Sequence, residues 1–172
     1  MSKKDKHGLS GVEKLDETFG PSAFNSGKEA LDEWLRKYAL VNQKSDSAKT
    51  YVVHRGKRIA GYYSLAANCI NTSSASKRTA AGQPKKGAVP VIILARLAVD
   101  KSEQGKGLGA ALLKDALLRC EQAADSIGVR AVLVHALDKE ARAFYEKYDF
   151  GHSPADDMTL MLLMKDIRGN IK

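Results

Sequence analysis

The sequence predicts a single domain of mixed α/β class. The chain has 172 residues, which is enough for one sizeable hydrophobic core and short for two. Its predicted elements run as a strand, two helices, an antiparallel hairpin and then alternating strands and helices, an order typical of a mixed α/β fold. We expect a flexible basic tail over residues 1–10 and one domain over residues 11–168.

The first half of the chain predicts the strand, the two helices and the hairpin. Apolar residues at helical spacing indicate the helices, and stretches rich in β-forming residues on either side of the turn Arg55–Arg58 indicate the hairpin. The expected bounds are Gly11–Leu15 for the strand, Asn25–Tyr38 and a short continuation to Gln43 for the helices, and Thr50–His54 and Ile59–Leu65 for the hairpin.

The second half predicts a loop followed by strands and helices in alternation. Polar, basic and glycine residues without periodicity indicate a mobile basic loop over residues 71–88. A long apolar run then indicates a central strand, and helical spacing that stops at Gly128 indicates a long helix behind it. The expected strands are Val89–Val99, Ala131–Ala136 and Leu160–Met164, and the expected helices are Gly107–Ala124 and Lys139–Tyr148.

Composition limits the classes of function. The net charge of +8 favours a polyanionic partner such as RNA, although a merely solvated surface explains the charge equally well. No stretch has the roughly 20 apolar residues of a membrane span, and nothing marks the chain for export. The two cysteines lack CxxC spacing and no two of the four histidines lie at i, i+4, so we expect no metal site.

Three glycines, at positions 105, 107 and 109, lie between the predicted central strand and the long helix. Without side chains there, backbone amides can surround an anion at the positive end of the helix, which predicts a pyrophosphate site. A tight connection with no ligand is the alternative. The preceding antiparallel hairpin argues against a Rossmann fold, and the segment lacks the spacing of a P-loop.

The segment Gln104-x-x-Gly107-x-Gly109 resembles the acetyl-CoA signature Gln/Arg-x-x-Gly-x-Gly/Ala of the GNAT superfamily of N-acetyltransferases. The element order is also similar to that fold, a mixed central sheet of about six to seven strands, splayed between the fourth and the fifth and flanked by about four helices. The resemblance implies acetyl-CoA as co-substrate, with its pantetheine arm along the central strand. The residues implied to contact it are Leu97, Ala98, Val99, Gln104, Gly105, Lys106, Gly107, Leu108, Gly109, Ala110 and Asp138.

The segment Ala141–Phe150 is similar to the superfamily's A-x-x-Phe/Tyr-Tyr-x-x-x-Gly-Phe pattern. Tyr145 matches the tyrosine that many members use as a general acid, which protonates the departing thiolate of coenzyme A. Asp149 stands where glycine is usual, and aspartate adopts left-handed backbone at moderate cost. Asp138 either contacts the pantetheine amides or caps the next helix, and both interpretations stay open.

Longer stretches resemble the GNAT toxins of type II toxin–antitoxin modules. They are Phe24-Asn25-x-Gly27 with Leu31–Leu35, Gly61–Leu65, Leu94–Asp100, and Ser153-Pro154 with Thr159-Leu160. The resemblance implies acetylation of the α-amino group of aminoacyl-tRNA, which blocks translation in the cytoplasm. It also implies a homodimer and a cognate antitoxin with a DNA-binding domain. Because an α-amino group has a pKa of about 8, a dedicated base is less necessary, and none is assigned.

Seven basic residues are candidates for contact with tRNA: Lys77, Arg78, Lys85 and Lys86 on the loop, Arg36 and Lys37 on the first helix, and Arg96 in the central strand. Arg96 lies in an apolar run and requires a partner, so it faces either the substrate or a buried carboxylate. Two other functions remain open. One is an N-acetyltransferase of small amines or protein amino groups, and the other is a nucleic-acid-binding regulatory protein without enzymatic activity.

Overall fold

The computed structural model of the protein describes residues 7–171, which include a mixed sheet of seven strands. The strands are β1 (Glu13–Lys14), β2 (Lys49–Arg55), β3 (Arg58–Asn71), β4 (Ala88–Val99), β5 (Ala131–His135), β6 (Gly151–His152) and β7 (Thr159–Leu163). Their order in the sheet is β1-β2-β3-β4-β5-β7-β6. The predicted mixed α/β class is therefore confirmed.

Six α-helices are present among residues 7–171. They are α1 (Glu29–Trp34), α2 (Leu40–Lys44), α3 (Lys77–Ala80), α4 (Leu108–Ala124), α5 (Lys139–Lys147) and α6 (Met164–Ile171). A π-helical segment, Leu35–Ala39, joins α1 to α2 without a break, and 3₁₀ turns form at Thr72–Ser74 and Lys101–Glu103. The two helices expected in the first half are thus one continuous helical run.

One compact unit contains the described residues up to Leu65 together with Arg96–Ala116. Its strands β1, β2 and β3 are antiparallel, as the predicted hairpin requires. Gly61 in β3 is needed for close packing, because a β-carbon there would lie 2.9 Å from Cδ1 of Leu112 in α4. The buried apolar side chains that hold this unit together include Leu15, Phe24, Leu35, Ala39, Val52, Ile59, Tyr62 and Ala98.

The second compact unit contains Ala66–Ala95 and the described residues from Leu117 onward. Strand β4 is parallel to β5 over Val91–Leu94, whereas β7 is antiparallel to both β5 and β6. Strand β5 is buried along almost its whole length, which explains why its sequence is continuously apolar. The buried apolar side chains of this core include Ala75, Val89, Val91, Ala131, Leu133 and Met161.

Three elements were not predicted, namely α3, β6 and α6. Helix α3 lies within residues 71–88, where we expected only loop, and the mobility of that loop stays a prediction. The guanidinium of Arg130 donates hydrogen bonds to the carbonyls of Thr79 (3.1 Å) and Ala81 (3.0 Å), which holds the end of α3 in place. The tail and domain bounds also stay predictions, and residues 1–6 of the tail lie outside the described residues.

Candidate functional site

Gly105 and Gly107 lie in the connection between the end of β4 and the start of α4, which we call the glycine turn. Gly105 and Gly107 have positive φ angles of 77° and 82°, and no atom lies within 4 Å of a β-carbon built on either residue. Backbone conformation, and not crowding, therefore requires glycine at both positions. Helix α4 has 17 residues and begins at Leu108, so its positive end coincides with the turn. This arrangement fits the pyrophosphate of acetyl-CoA.

Gln104 closes the turn with its side chain. The amide nitrogen Nε2 donates to the carbonyl oxygens of Val99 and Ser26, at 2.8 Å in each case. Both bonds are internal to the protein, so the side-chain amide shapes the turn. The predicted contact of Gln104 with the coenzyme stays a prediction, as do the contacts of the backbone of Leu97, Ala98 and Val99.

Lys106 is the cation nearest in sequence to the glycines of the turn. Its Nζ donates to the carbonyl of Ser102 (3.1 Å) and lies 3.5 Å from the Glu103 carboxylate. Because the side chain is largely exposed, it can turn toward an anionic ligand without losing buried contacts. The remaining predicted contacts belong to the beginning of α4, where Leu108 is buried and Gly109 and Ala110 are half-buried.

Glu103 is a buried acidic residue beside the turn whose role the sequence patterns do not predict. Its side chain is 5% exposed and accepts a 2.6 Å hydrogen bond from Nε of Arg55. This bond from Arg55 lowers the pKa of the Glu103 carboxyl below its ordinary value. A second arginine is also close, because Nη2 of Arg58 lies 3.6 Å from Oε1 of Glu103. Acidic residues just before the glycines are the only signal in the sequence, because the arginines lie 48 and 45 positions earlier.

Tyr145 lies in α5, in the second unit, in an aromatic environment. Its ring makes edge-to-face contacts with Phe144 (centroids 5.2 Å apart) and Phe150 (5.4 Å). The residue is 7% exposed, and this burial raises the pKa of its phenol above the ordinary value. The phenol is protonated at neutral pH, as any tyrosine is, and burial makes it a weaker acid than a solvated one.

Two aspartates, Asp138 and Asp149, lie at the two ends of α5. Asp138 caps the N-terminus, where Oδ1 accepts a 2.8 Å hydrogen bond from the amide of Ala141. The capping interpretation of Asp138 is therefore correct, and its contact with pantetheine stays a prediction. At the other end Asp149 has a φ of 69°, the left-handed conformation expected of the residue that replaces glycine.

The candidate tRNA contacts fall into two groups. Arg36, Lys37 and Arg78 form ion pairs with Glu29, Glu33 and Asp166, respectively. Lys77, Lys85 and Lys86 are exposed and have no ion-pair partner among residues 7–171. All six are surface residues, so their roles depend on the ligand and stay predictions.

Arg96 has an aromatic partner. Its guanidinium carbon lies 5.4 Å from the centre of the Trp34 ring, a cation–π contact. Trp34 in turn stacks on Tyr62 of β3, with ring centroids 6.1 Å apart and planes 7° from parallel. The half-buried arginine therefore contacts α1 at its last residue, and its role toward substrate stays a prediction.

Across residues 7–171, no three side chains of histidine, cysteine, aspartate or glutamate come together as a metal site. None of the helices within that range combines the length and the apolarity needed to span a membrane.

The chain is similar to known acetyltransferases in sequence. Residues 46–151 match the family described as Acetyltransferase (GNAT) domain. A tRNA-acetylating toxin of Mycobacterium tuberculosis (strain ATCC 25618 / H37Rv) is 48% identical over 164 residues, which cover 95% of this chain and 98% of the relative.

Solved structures are similar over the same length. AtaT complexed with acetyl-methionyl-tRNAfMet gives a TM-score of 0.87 at 27% identity, over 96% of this chain and all of that one (100%). Another similar structure is a tyrosine-to-phenylalanine mutant of the AtaT toxin bound to the C-terminus of the antitoxin AtaR and to acetyl-CoA. It gives a TM-score of 0.80 at 25% identity, over 95% of this chain and 97% of that one.

Proposed function

The chain belongs to the GNAT acetyltransferase family, and we propose that it transfers the acetyl group of acetyl-CoA to the α-amino group of an aminoacyl-tRNA. The product cannot accept a peptide through that amine, so the reaction stops translation. We propose aminoacyl-tRNA as the acceptor because the chain is 48% identical, over 95% of its length, to a tRNA-acetylating toxin.

The glycine turn supports acetyl-CoA as the donor. Gly105 and Gly107 are exposed and have open space where a side chain would be, which leaves room for a pyrophosphate beside the backbone, and the first turn of α4 adds its positive end. Acetyl-CoA supplies an activated acyl group as a thioester. Lys106 is the side chain that we expect to approach the phosphates, because it is exposed beside the turn.

Tyr145 supports the chemistry of the leaving group. The neutral α-amine forms the new bond to the acetyl carbon, the bond from that carbon to sulfur breaks, and the amine loses a proton to solvent. The departing thiolate then requires a proton, which the buried phenol of Tyr145 is able to supply because it stays protonated at neutral pH. With a pKa of about 8, the acceptor amine is partly neutral without a dedicated base.

The loop lysines support contact with tRNA. We expect Lys85 and Lys86 to contribute more than Arg78, because Arg78 already pairs with Asp166. A K85A/K86A double variant should lower the slope of log affinity for tRNA against log salt by about 2, whereas R78A should lower it by less than about 1. Equal slopes for all three proteins would mean that the loop does not contact phosphates.

A direct test incubates the protein with labelled acetyl-CoA and three acceptors: charged tRNA, uncharged tRNA and a small amine. We expect label only on the charged tRNA, and mild alkaline release should yield an N-acetylated amino acid. Label on the small amine alone would support a small-molecule acetyltransferase. Tight tRNA binding without any transfer would support a non-enzymatic regulatory protein.

The assembly is proposed from the resemblance. An AtaT toxin structure contains a bound antitoxin, AtaR, and this supports a cognate antitoxin, which we expect to carry a DNA-binding domain, as a partner of this chain. A homodimer is proposed on the resemblance to GNAT toxins alone, and light scattering after size exclusion should report twice the 18.7 kDa chain mass. Because its substrate is charged tRNA, we expect the protein to act in the cytoplasm.

A further inference from the structure

Asp32 in α1 is a buried acid that the proposed chemistry does not use. It is 3% exposed and has no ion-pair partner among residues 7–171. Its Oδ1 accepts hydrogen bonds from the hydroxyl (2.6 Å) and the amide (3.0 Å) of Ser26, and Oδ2 lies 3.2 Å from the same amide. A buried carboxylate needs such compensation, and within residues 7–171 the hydrogen bonds that supply it come from Ser26.

Ser26 and its neighbour Asn25 are bonded in turn to the residues that precede the glycine turn. The carbonyl of Ser26 accepts the 2.8 Å bond from Gln104. The amide of Asn25 donates to the Asp100 carboxylate (2.9 Å), and its carbonyl accepts from the amide of Lys101 (2.8 Å). Three hydrogen bonds therefore join residues 25–26 to residues 100–104.

Gly27 shows how closely these two segments approach. It has a φ of 87°, and a β-carbon on it would lie 2.9 Å from Cε of Lys101. The positive φ is therefore what requires glycine here, while the Lys101 side chain, which is flexible at this end, lies directly beside it.

We infer that Asp32 is a positioning residue for the coenzyme, acting through Ser26 and Gln104. The carboxylate fixes Ser26, the Ser26 carbonyl orients the Gln104 amide, and that amide holds the end of β4 from which the glycine turn begins. Backbone donors bind an anion well only when they are held in place beforehand. This inference rests on the proposed function, since it takes acetyl-CoA as the ligand of the turn.

The test measures coenzyme affinity separately from turnover. In D32N the retained oxygen can still accept from the hydroxyl and the amide of Ser26, but the negative charge is lost and the new NH₂, in the place of Oδ2, meets the Ser26 amide at 3.2 Å, where two donors oppose each other. By isothermal titration calorimetry we expect the Kd for coenzyme A to rise about tenfold, with kcat at saturating acetyl-CoA within about threefold of the wild type. S26A, which loses the hydroxyl and keeps the carbonyl for Gln104, should raise Kd about threefold.

The matched control is D16N. Asp16 lies in the same unit and also accepts bonds from a hydroxyl and an amide, those of Thr18, but it is exposed, and within residues 7–171 no hydrogen bond joins it to the glycine turn. The Kd of D16N for coenzyme A should equal that of the wild type. Circular dichroism establishes that each variant is folded, and if D32N is unfolded, the S26A result alone decides.

Three outcomes would overturn the inference. Folded variants that bind coenzyme A as tightly as the wild type would refute the positioning role while leaving the proposed function intact. A fall in kcat at unchanged Kd would place Asp32 in the chemistry. Absence of coenzyme binding by the wild-type protein would overturn the proposed function, and this inference with it.

Discussion

The glycine turn and the surroundings of Tyr145 are organised by opposite means. The turn is backbone held by polar side chains: Gln104, Asp100 and Glu103 are all engaged in hydrogen bonds, and Gly105 and Gly107 adopt positive φ angles. Tyr145 is enclosed by aromatic rings, and burial is the cause of its raised pKa. One region presents many weak donors, and the other presents a single phenol.

The difference has an energetic consequence. Affinity that is spread over several backbone amides and a helix end should tolerate the loss of any one side chain that contacts the coenzyme directly, because each such contact contributes little. A side chain that holds the turn in its conformation, as we infer for Asp32, should matter more. Proton donation, in contrast, depends on the single hydroxyl of Tyr145, and no other group compensates for its loss. Binding should therefore be sensitive to the conformation of the turn, and turnover should be sensitive to one atom of α5.

The largest effect is expected for Tyr145→Phe. This variant keeps the ring that packs against Phe144 and Phe150 and loses only the hydroxyl. Loss of a general acid lowers rates by about 10²- to 10⁴-fold, so kcat for acetyl transfer should fall by at least about 100-fold. The Kd for acetyl-CoA, measured by calorimetry, should stay within about threefold of the wild type.

The control for this variant is Tyr148→Phe in the same aromatic group. Tyr148 contacts Phe144 but is half-buried, so its hydroxyl has no comparable environment. Its kcat should be close to the wild-type value. If the two variants retained similar activity, Tyr145 would be a packing residue and the contrast between the two regions would fail.

The second effect concerns the backbone of the turn. Gly107→Ala should raise the Kd for acetyl-CoA by about tenfold or more and lower stability by about 1–2 kcal/mol, because alanine disfavours the φ of 82°. No neighbouring atom would clash with the new methyl group, so strain is the only cause inside the protein. Gly128→Ala, at a glycine of ordinary φ with equally open space, should leave both quantities unchanged.

Both regions could be located from the sequence because each belongs to one short continuous segment. The three glycines between a strand and a helix indicate the turn, and the pattern around Tyr145 indicates the second region. The left-handed Asp149 could be predicted for the same reason, since the residue stands in a fixed place in that pattern.

The polar support of the turn could not be predicted in this way. Asn25 and Asp100 are 75 positions apart, and Arg55 and Glu103 are 48 apart, so no local spacing connects them. Helix α3 was missed for a related reason. It has four residues and no apolar periodicity, and its end is held by Arg130, a residue 51 positions from Thr79.

The smallest effect tests whether this polar support is stabilising, by comparing one carboxylate from each region. Glu103 is buried beside Arg55, whereas Glu146 in α5 pairs with Arg142 at an exposed surface. At pH 7, Glu103→Gln should lower the free energy of unfolding by about 1–2 kcal/mol and Glu146→Gln by less than about 0.5 kcal/mol.

The pH dependence of the Glu103 effect has a definite sign. Because the folded-state pKa of Glu103 lies below its unfolded value, its stabilisation is complete above the unfolded pKa, near 4.3, and is lost as pH falls through the folded value. Urea unfolding of wild type and Glu103→Gln should therefore converge as the pH is lowered from 7 toward 3. A gap that stays constant over this range would mean that Glu103 stabilises the turn by packing and not by charge, and the turn would then resemble the apolar surroundings of Tyr145 more than its sequence suggests.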